Sequence, residues 1–500
     1  ISVIGLVSGS LINTGVIDPV YGILVTGGIT GGIFNSGTIT GTTAGIDITG
    51  ATTGMTITLT DGLIQGDNAG VVATAIDMNN ANADIFIADA GVVDGDIVAN
   101  ATDDIAMGGG GTFAWMRGTG TGINQFDALG GTVILGAETR GQEDGVGVTV
   151  GAASMVLTDS HLYIDDDTVV TLSGALDASG NGGTIEWQLT PTTNGTIVAA
   201  SADLGTNTRI AAYVDPATFA ALQMVEGTAG AITYTSVLDT GGLTGTFVNQ
   251  GTVDMSSPFF TGVATDDGSD VDIVITRNSF ATALGLAGAS QSTNQTTIGT
   301  VFEEMYLDAG VSADFTDLFA SLFGGGLSVE EIQAIYDDLA GAEYAQLQQS
   351  SIRTSNMFGE IVGQRLDQVL ATETGGGMAS LDGLQYAQIA VSASDAMGPG
   401  GGSHGLKRGP SGASVWLRGS GQWANVDSDP NAAGYQQDSG GVSGGIDYAV
   451  ANNASVGLAG HWATTDVDFD TPGDGAEIDS WGAGLYGSYG LKRVYYSGFS

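Results

Sequence analysis

The chain has 500 residues, including 83 Gly and no Cys, and its 55 acidic against 11 basic residues give a formal net charge of -44. The length predicts several domains or one elongated repeat body, and abundant Gly and β-branched residues predict short strands joined by tight turns. The charge argues against binding to nucleic acids, because residues 1–300 contain no Lys and only four Arg. Without Cys there is no disulfide framework and no thiol chemistry.

A short phrase recurs near the start of the chain, as NTGVI at 13–17, NSGTI at 35–39 and DAGVV at 89–93, and it returns as NQGTV at 249–253. We expect each copy to form a tight turn in which Asn or Asp and then Gly take unusual backbone angles, followed by a strand. The first two copies are 22 residues apart. A period in the twenties with little helix signal is typical of a solenoid, so 1–297 is predicted to be a right-handed parallel β-helix.

The repeat is irregular, because residues 101–145 and 160–230 show no clear copy of the phrase. An array of β-sandwiches is therefore the structural alternative for this part of the chain. The segment VDIVITR at 271–277 is rich in β-branched residues and is predicted to be the last strand of the body.

A helical junction is predicted over residues 298–372. SVEE at 328–331 fits a capping box, in which the Ser side chain accepts from the Glu amide and the Glu side chain reaches back. An apolar stripe follows at helical spacing, formed by Ile332, Ile335, Tyr336 and Leu339. A second helix is predicted over 342–371, with Phe358, Ile361, Val362, Leu366 and Val369 on its apolar side. Residues 373–411, rich in Gly, Ser and Ala, are predicted to be a linker.

From residue 412 to residue 500 the hydrophobic period becomes two. Four segments of about ten residues show this pattern: 413–423, 438–450, 454–463 and 480–490. In each segment one face is apolar, with aromatic residues near its ends, and the other face is small or polar. Long polar connections at 425–437 and 464–479 alternate with tight turns at 451–454 and 490–493. This combination predicts a transmembrane β-barrel. A soluble antiparallel sheet with one buried face is the alternative, but it does not explain the loop asymmetry.

The predicted strands give the chain an orientation. The two long acidic loops suit the outer side of a membrane, and the turn that contains Lys492 and Arg493 suits the periplasmic side. The first strand then runs outward, so the chain upstream of it enters from the periplasm. We expect this upstream body to be cargo that passes through the membrane.

Four stretches resemble autotransporters of the type V secretion class: residues 271–305, 339–366, 414–450 and 480–500. The first is similar to the end of a β-helical passenger, and the second to the junction motif that leads into helix. The third is similar to the first two barrel strands with their Asn-Ala-Ala-Gly-Tyr loop, and the fourth to a later strand. The resemblance covers roughly residues 270–500 well and the rest only in the style of its repeats.

The resemblance implies an outer-membrane barrel of about 12 strands whose lumen holds a helical segment. It also implies a passenger at the cell surface or released from it, contact of the barrel with outer-membrane lipid, and help from the outer-membrane assembly machinery and periplasmic chaperones. Only four strands and the start of a fifth are present, and an open sheet is not tolerated in lipid. We therefore expect a truncated barrel, with about eight further strands and a signal peptide outside this sequence.

The predicted fold class is all-β. It comprises a parallel β-helix (solenoid) passenger, a short α-helical junction and a truncated antiparallel transmembrane β-barrel. No run of 18 apolar residues predicts a transmembrane helix.

The sequence shows no catalytic constellation that we assign. Residues 441–445 fit the G-x-S-x-G pattern around Ser443, but this Ser is predicted to lie in mid-strand, whereas a nucleophile elbow needs a strand-to-helix turn. The three His are His161, His404 in the linker and His461 on a lumen face. A Ser-His-Asp triad would have to use His161 or lie outside this sequence.

Cofactor and metal sites are not assigned either. His161 with the acidic residues 165–167 could bind a metal, but such acidic turns are usually solvated. TDDGSDVD at 265–272 has the oxygen ligands that Ca²⁺ prefers without EF-hand spacing, so Ca²⁺ is a weak alternative.

Two residues of the first predicted barrel strand, Trp416 and Arg418, are expected to face the lumen. Arg418 could pair with Glu360 or Asp367 of the predicted helix. A hydrated lumen charge is the alternative that we favour.

The leading hypothesis is a non-enzymatic β-helical passenger for adhesion or aggregation, with an unidentified surface ligand. One alternative is the stalk and translocator of a secreted protease or esterase whose catalytic domain lies outside this sequence. Another is a soluble secreted sheet protein that is unconnected with membranes.

Overall fold

A computed structural model describes residues 1–68, 70–142, 146–308, 313–374, 413–428, 434–451, 454–470, 475–491 and 494–499. The chain divides into two compact units, residues 1–290 with 299–332, and residues 291–298 with 333–500. Within the described ranges, no helix has both the length and the apolar character that crossing a bilayer requires.

The first unit contains short strands in a coiled succession. They are β1 (Ser2–Val3), β2 (Leu6–Val7), β3 (Leu11–Asn13), β4 (Val16–Ile17), β5 (Tyr21–Val25), β6 (Gly28–Ile29), β7 (Ile33–Asn35), β8 (Thr38–Gly41), β9 (Ala44–Asp47), β10 (Thr56–Leu59), β11 (Leu63–Asn68), β12 (Val71–Val72), β13 (Thr74–Asp77), β14 (Ile85–Ala88), β15 (Gly91–Asp94), β16 (Asp96–Val98) and β17 (Asp104–Gly108). They continue with β18 (Thr112–Trp115), β19 (Gly118–Leu129), β20 (Thr132–Leu135), β21 (Val148–Thr158), β22 (His161–Ile164), β23 (Val169–Asp177), β24 (Thr184–Leu189), β25 (Thr196–Asp203), β26 (Arg209–Val214), β27 (Ile232–Thr240), β28 (Leu243–Thr244), β29 (Asp254–Met255), β30 (Phe260–Asp266) and β31 (Asp270–Arg277).

Each coil pairs in parallel with the next coil, which confirms the predicted β-solenoid. In the first part of the unit three ladders of short strands run side by side. They are β1-β5-β9-β13-β16, β3-β7-β10-β14-β17 and β4-β8-β11-β15. Ile and Val side chains from successive coils stack inside and are buried, among them Ile33, Ile57 and Ile105. This interior stacking supplies the hydrophobic stabilisation of the body.

The coil changes shape at β19, where two ladders merge. β19 pairs with β16 through its first residues and with β17 through its later ones. From there on, the long strands β19, β21, β23 and β25 alternate with short ones. Register shifts interrupt the pairing of these long strands, as a bulge does where a strand bends. The missing period in residues 101–145 and 160–230 coincides with this new coil shape, and the parallel pairing of successive coils continues as far as β26.

The backbone and contacts of the recurring phrase differ from the tight turn that we expected. Asn13 Nδ2 donates to Asn35 Oδ1 at 2.8 Å, so the Asn side chains link neighbouring coils. Gly91 has a φ of 109°, as predicted, but Gly15 and Gly37 lie outside the left-handed region. What requires Gly37 is close stacking, since a Cβ there would lie 2.1 Å from the carbonyl oxygen of Gly15.

The last coils are covered by an antiparallel pair, β30 and β31, and by helices. The helices are α1 (Pro216–Leu222), α2 (Ala283–Leu286), α3 (Thr293–Tyr306) and α4 (Ala313–Phe323), with a 3-10 turn at Gly227–Gly230. Helical structure thus begins before residue 298. The side chain of Arg277 is fully buried here, where Nε donates to Met224 O at 2.6 Å and the guanidinium pairs with Glu303. It lies 4.9 Å from the ring centroid of Tyr306, within a cluster of Phe side chains.

Two further helices follow, α5 (Val329–Ala340) and α6 (Ala342–Thr374). The predicted capping box is present, because the Ser328 amide donates to Glu331 Oε2 at 2.7 Å and the Glu331 amide donates to Ser328 Oγ at 3.2 Å. The predicted apolar stripe of α5 is only partly buried. Ile332 and Tyr336 are buried, but Leu339 is 52% exposed, because it lies at the end of the helix. α6 confirms the second predicted helix.

Five strands form the sheet of the second unit, each antiparallel to the next: β32 (Ala413–Val426), β33 (Tyr435–Ala451), β34 (Ala454–Phe469), β35 (Gly475–Leu491) and β36 (Val494–Phe499). The first four have 14, 17, 16 and 17 residues, more than the expected ten. The alternation of inward and outward side chains continues into the polar segments, so much of the two predicted long loops is strand. Most of the linker 373–411 and the basic pair Lys492 and Arg493 lie outside the described residues.

Candidate functional site

The outward face of the C-terminal sheet is apolar over its middle. The exposed side chains there are Val415, Leu417, Val442, Ile446, Tyr448, Val450, Val456, Leu458, Trp462, Trp481, Leu485 and Tyr489. They belong to the apolar face that the alternating pattern predicts for the four segments. Such a wide exposed apolar surface is unfavourable in water and matches the outward band of a transmembrane β-sheet.

This apolar band has a defined edge. Trp462 and Trp481 face each other across β34 and β35, and Trp481 is 85% exposed. Beyond them the outward positions become acidic, since Asp466 is paired with Glu477 on one side and with Asp438 on the other. Aromatic residues followed by charged ones are typical of the boundary between hydrocarbon and the headgroup region.

The inward face of the sheet is covered by α6. Gly residues make room for the contact, because a Cβ at Gly482 would lie 3.3 Å from the Phe358 ring, and one at Gly457 would lie 2.3 Å from the Tyr486 ring. The buried cluster between helix and sheet contains Met357, Phe358, Ile361, Val362, Leu366, Trp416, Ala459, Ala463 and Tyr486. The predicted apolar side of the second helix is therefore the side that packs on the sheet.

A polar network lies within the same contact. Arg365 of α6 donates from Nε and Nη2 to Asp447 Oδ2 of β33, at 3.0 and 2.7 Å. Tyr486 donates its hydroxyl to the same carboxylate at 3.1 Å and accepts from Trp416 Nε1 at 2.7 Å. Ser414 completes the set by donating to Asp447. A buried carboxylate with this many donors fixes the position of the helix on the sheet.

Our sequence reasoning did not single out Arg365 or Asp447. Two signals could have done so: Asp447 is the acidic residue among small ones on the inward face of β33, and Arg365 lies one helical turn from the apolar residues Ile361 and Val362. The structure places Trp416 on the inward face as expected. The proposed pairing of Arg418 with Glu360 or Asp367 stays a prediction.

Ser443 and His461 come together on the inward face. Ser443 Oγ lies 2.7 Å from His461 Nδ1, and the imidazole stacks on Phe358 with ring centroids 5.2 Å apart. Ser443 lies in the middle of β33 and is buried, not at a strand-to-helix turn. This geometry gives the G-x-S-x-G match a packing role between sheet and helix.

His161 of the solenoid lies against Glu186, a residue that the sequence analysis did not consider. Its Nε2 lies 2.8 Å from Glu186 Oε2, and Arg140 Nε donates to the same oxygen at 2.8 Å. Burial would raise the pKa of Glu186, but the hydrogen bonds and charges of His161 and Arg140 outweigh it and lower that pKa. Within the described part of the chain, no group of three acidic or His residues is placed to hold a metal ion.

The suspected Ca²⁺ segment forms the turn between β30 and β31. Asp267 Oδ1 accepts from the amides of Asp270 and Ser269, each at 2.9 Å, and from the Ser269 hydroxyl. The Asp270 amide and the two Ser269 groups lower the Asp267 pKa to about 2. This carboxylate thus closes its own turn, and Ca²⁺ binding stays a prediction without structural support.

All four Arg of residues 1–300 pair with carboxylates. Arg117 pairs with Asp94, Arg140 with Glu186, Arg209 with Asp254 and Arg277 with Glu303. Their charges are therefore matched by carboxylates of the same chain, and the absence of nucleic-acid binding stays a prediction.

The comparison with protein families gives one finding. Residues 415–499 match the family model of the autotransporter β-domain. The match begins within β32 and ends within β36, so it coincides with the sheet that α6 covers. Comparisons with curated proteins and with solved structures found no match.

Proposed function

Since residues 415–499 belong to the autotransporter β-domain family, we propose that this chain exports its β-solenoid by type V secretion and displays it on a Gram-negative bacterium. The solenoid is the passenger, and the sheet enters the outer membrane. The solenoid acts at the cell surface.

The observation that carries this proposal is the two-sided chemistry of the C-terminal sheet. Its outward band is apolar and ends at the paired Trp462 and Trp481, which suits lipid. Its inward face is polar and small, and α6 packs on it through Phe358 and the Arg365–Asp447 ion pair. A soluble sheet would bury its apolar face and expose its polar face, which is the reverse of this arrangement.

We assign adhesion or aggregation to the displayed solenoid. A long stack of coils offers wide, regular strand faces to another surface, as solenoid proteins do when they bind partners. The family match identifies no enzymatic domain, and the Ser443–His461 pair is buried under α6. Outer-membrane lipid, the assembly machinery and periplasmic chaperones are the proposed partners during export, and the surface ligand is unidentified.

Expression of the full-length coding sequence in a Gram-negative host tests the display. We expect the protein in the outer-membrane fraction, with heat-modifiable migration and with the solenoid accessible to antibodies on intact cells. A solenoid that is retained in the periplasm or recovered only in the soluble fraction would contradict the proposal. Deletion of the gene should then reduce attachment or cell aggregation, and unchanged scores in both assays would count against the adhesive role.

A further inference from the structure

An exposed Trp side chain lies beyond the apolar band of the C-terminal sheet. Trp423 of β32 is 72% exposed. It is in register with Asp438, and Asp438 is in register with Asp466, so Trp423 belongs to the acidic row and not to the row of Trp462. The two rows are four residues apart along the strands, which corresponds to about 13 Å at about 3.3 Å per residue. Trp423 therefore lies on the headgroup side of the apolar band.

Polar side chains surround Trp423 and form a shallow depression with it. Asn425 is in register with Gln436 in the next outward row. These two residues line a depression of about 280 Å³ together with Trp423 and Asp438. We call it the polar depression. Small-molecule sites begin at about 300 Å³, so the polar depression has room for one ring-sized group.

Two glycines leave the indole of Trp423 open to a ligand. A Cβ at Gly421 would lie 3.0 Å from Cη2 of this indole, so the ring extends back along the strand over a residue without a side chain. Gly421 is in register with Gly440 of β33, where a Cβ would meet nothing within 4 Å. The aromatic surface is therefore free for stacking.

The residues of the polar depression suit both parts of a sugar ring. A pyranose carries C–H groups on its faces and hydroxyl groups at its edge. The C–H groups are positively polarised and are attracted by the negative face of an indole such as that of Trp423. The amides of Asn425 and Gln436 donate and accept hydrogen bonds, and the Asp438 carboxylate accepts from neighbouring hydroxyl groups.

The charge around the polar depression disfavours an anionic ligand. Asp466 and Glu477 continue the row of Asp438 across the sheet. In the five strands as far as the structure describes them, Arg418 is the single basic residue, and it lies on the inward face. Phosphate and carboxylate groups would be repelled here, whereas uncharged hydroxyl groups are not. The ligand that fits is therefore a neutral sugar.

We propose that the polar depression binds a neutral sugar ring of a glycolipid in the outer leaflet of the outer membrane. The inference rests on the proposed insertion of the sheet into that membrane, with its acidic end outward. Because the polar depression adjoins the apolar band, one glycolipid places its sugar on Trp423 and its acyl chains along the band. A soluble saccharide lacks this second contact, so the lipid-linked sugar should bind more tightly.

Retention of a defined glycolipid tests the proposal. The full-length protein is reconstituted into phosphatidylethanolamine vesicles that contain either glucosyl diacylglycerol or diacylglycerol, and the lipid that copurifies after extraction in detergent is measured. We expect wild type to retain about tenfold more of the glycolipid than of diacylglycerol. Trp423→Ala should abolish this preference. Tyr448→Ala, which removes another exposed aromatic side chain from the apolar band, should keep it.

A second variant tests the hydrogen bonds without removing the aromatic ring. Asn425→Ala with Gln436→Ala leaves Trp423 in place and removes both amides. We expect the preference for the glycolipid to fall by about threefold to tenfold, because each lost hydrogen bond contributes modestly. An unchanged preference in this variant would contradict the assigned role of the amides.

Three results would overturn the proposal. The first is an equal preference for the glycolipid in wild type and Trp423→Ala. The second is equal retention of glycolipid and diacylglycerol by wild type, which would make Trp423 an interfacial anchor without sugar recognition. The third is binding of methyl glucoside as tight as that of the glycolipid, which would assign the polar depression to a soluble saccharide.

Heat-modifiable migration reports the assembly of each variant separately. A wild-type protein that does not assemble in the outer membrane would refute the proposed function together with this inference. An assembled protein without a preference for the sugar would refute only the inference.

Discussion

Arg365 and Asp447 form a buried ion pair between α6 and the sheet, with Nη2 and Oδ2 2.7 Å apart and both side chains less than one-tenth exposed. Removal of one partner leaves the other charge buried without compensation, which typically costs about 3–5 kcal/mol. We therefore expect Asp447→Asn to weaken the helix–sheet contact strongly. We would measure the temperature at which the full-length protein stops migrating as a compact, folded species in heat-modifiability gels. This temperature should be lower for Asp447→Asn.

A double variant separates the ion pair from general damage. Arg365→Met with Asp447→Asn removes both charges, so we expect its transition temperature to lie above that of Asp447→Asn alone. Equal loss in the single and double variants would show that the carboxylate acts through Ser414 and Tyr486 instead of through Arg365.

Gly37 and Gly15 provide a matched pair in neighbouring coils. A Cβ at Gly37 would lie 2.1 Å from the Gly15 carbonyl oxygen, whereas a Cβ at Gly15 would meet nothing within 4 Å. Gly37→Ala should therefore lower the free energy of unfolding by about 1–3 kcal/mol, because backbone cannot yield easily. Gly15→Ala should change it by less than about 0.5 kcal/mol. Urea unfolding of the full chain in detergent, followed by circular dichroism, measures both.

The solenoid should gain stability on mild acidification. Burial raises the pKa of Asp84, and the neighbouring charge of Asp103 adds to this against hydrogen bonds from the Met55 amide and Asn80. Burial likewise raises the pKa of Asp103. A carboxyl whose folded pKa exceeds its unfolded value binds protons more readily in the folded state, so stability rises as pH falls from neutral toward 3.8.

Glu186 has the opposite effect on the pH dependence of stability. Its folded pKa lies below 4.5, so the stability it contributes is present above that pH and is lost as pH falls through the folded pKa. Urea titrations from pH 7.5 to about pH 3 should show a maximum on the acid side of neutral. Asp84→Asn with Asp103→Asn should flatten the acid-side rise and leave the later fall in place. A rise that is unchanged in this variant would assign it to other carboxyls.

Leu485 and Asp466 face outward on neighbouring strands at different depths. Leu485 is 66% exposed within the apolar band, whereas Asp466 lies beyond the two Trp residues, between Asp438 and Glu477. An Arg in the middle of the lipid face costs about 2–4 kcal/mol, and near the interface it costs about 0–1. Leu485→Arg should therefore reduce the amount of assembled protein in the outer membrane, and Asp466→Arg should not. Similar losses for both would contradict the membrane boundary at Trp462 and Trp481.

The sequence predicted the sheet well because each strand buries one face and exposes the other. The period-two pattern identified the two faces of the sheet, including the inward position of Trp416, and SVEE marked the start of α5. These are local signals, since each depends on residues within a few positions of one another. The strand ends were less predictable, because polar residues such as Asp466 and Asp468 continue the same alternation that the apolar residues begin.

The features of the fold and of the candidate site that the sequence did not predict depend on contacts between distant parts of the chain. No local pattern shows that β19 pairs with both β16 and β17, so the change of coil shape could not be foreseen. The role of Gly37 is likewise set by a coil 22 residues earlier, not by its own turn. The Arg365–Asp447 contact joins residues 82 positions apart. His161 likewise contacts Glu186, which is more distant in the sequence than the acidic residues 165–167.

The pairing of every Arg in residues 1–300 has a consequence for the resistance of this region to proteolysis. Proteases of the trypsin type cleave after Arg and Lys, and this region offers them four Arg and no Lys. Arg277 is fully buried, and Arg117, Arg140 and Arg209 are 25%, 45% and 49% exposed with their guanidinium groups held by carboxylates. A folded solenoid of this composition offers few cleavage points to proteases of basic specificity.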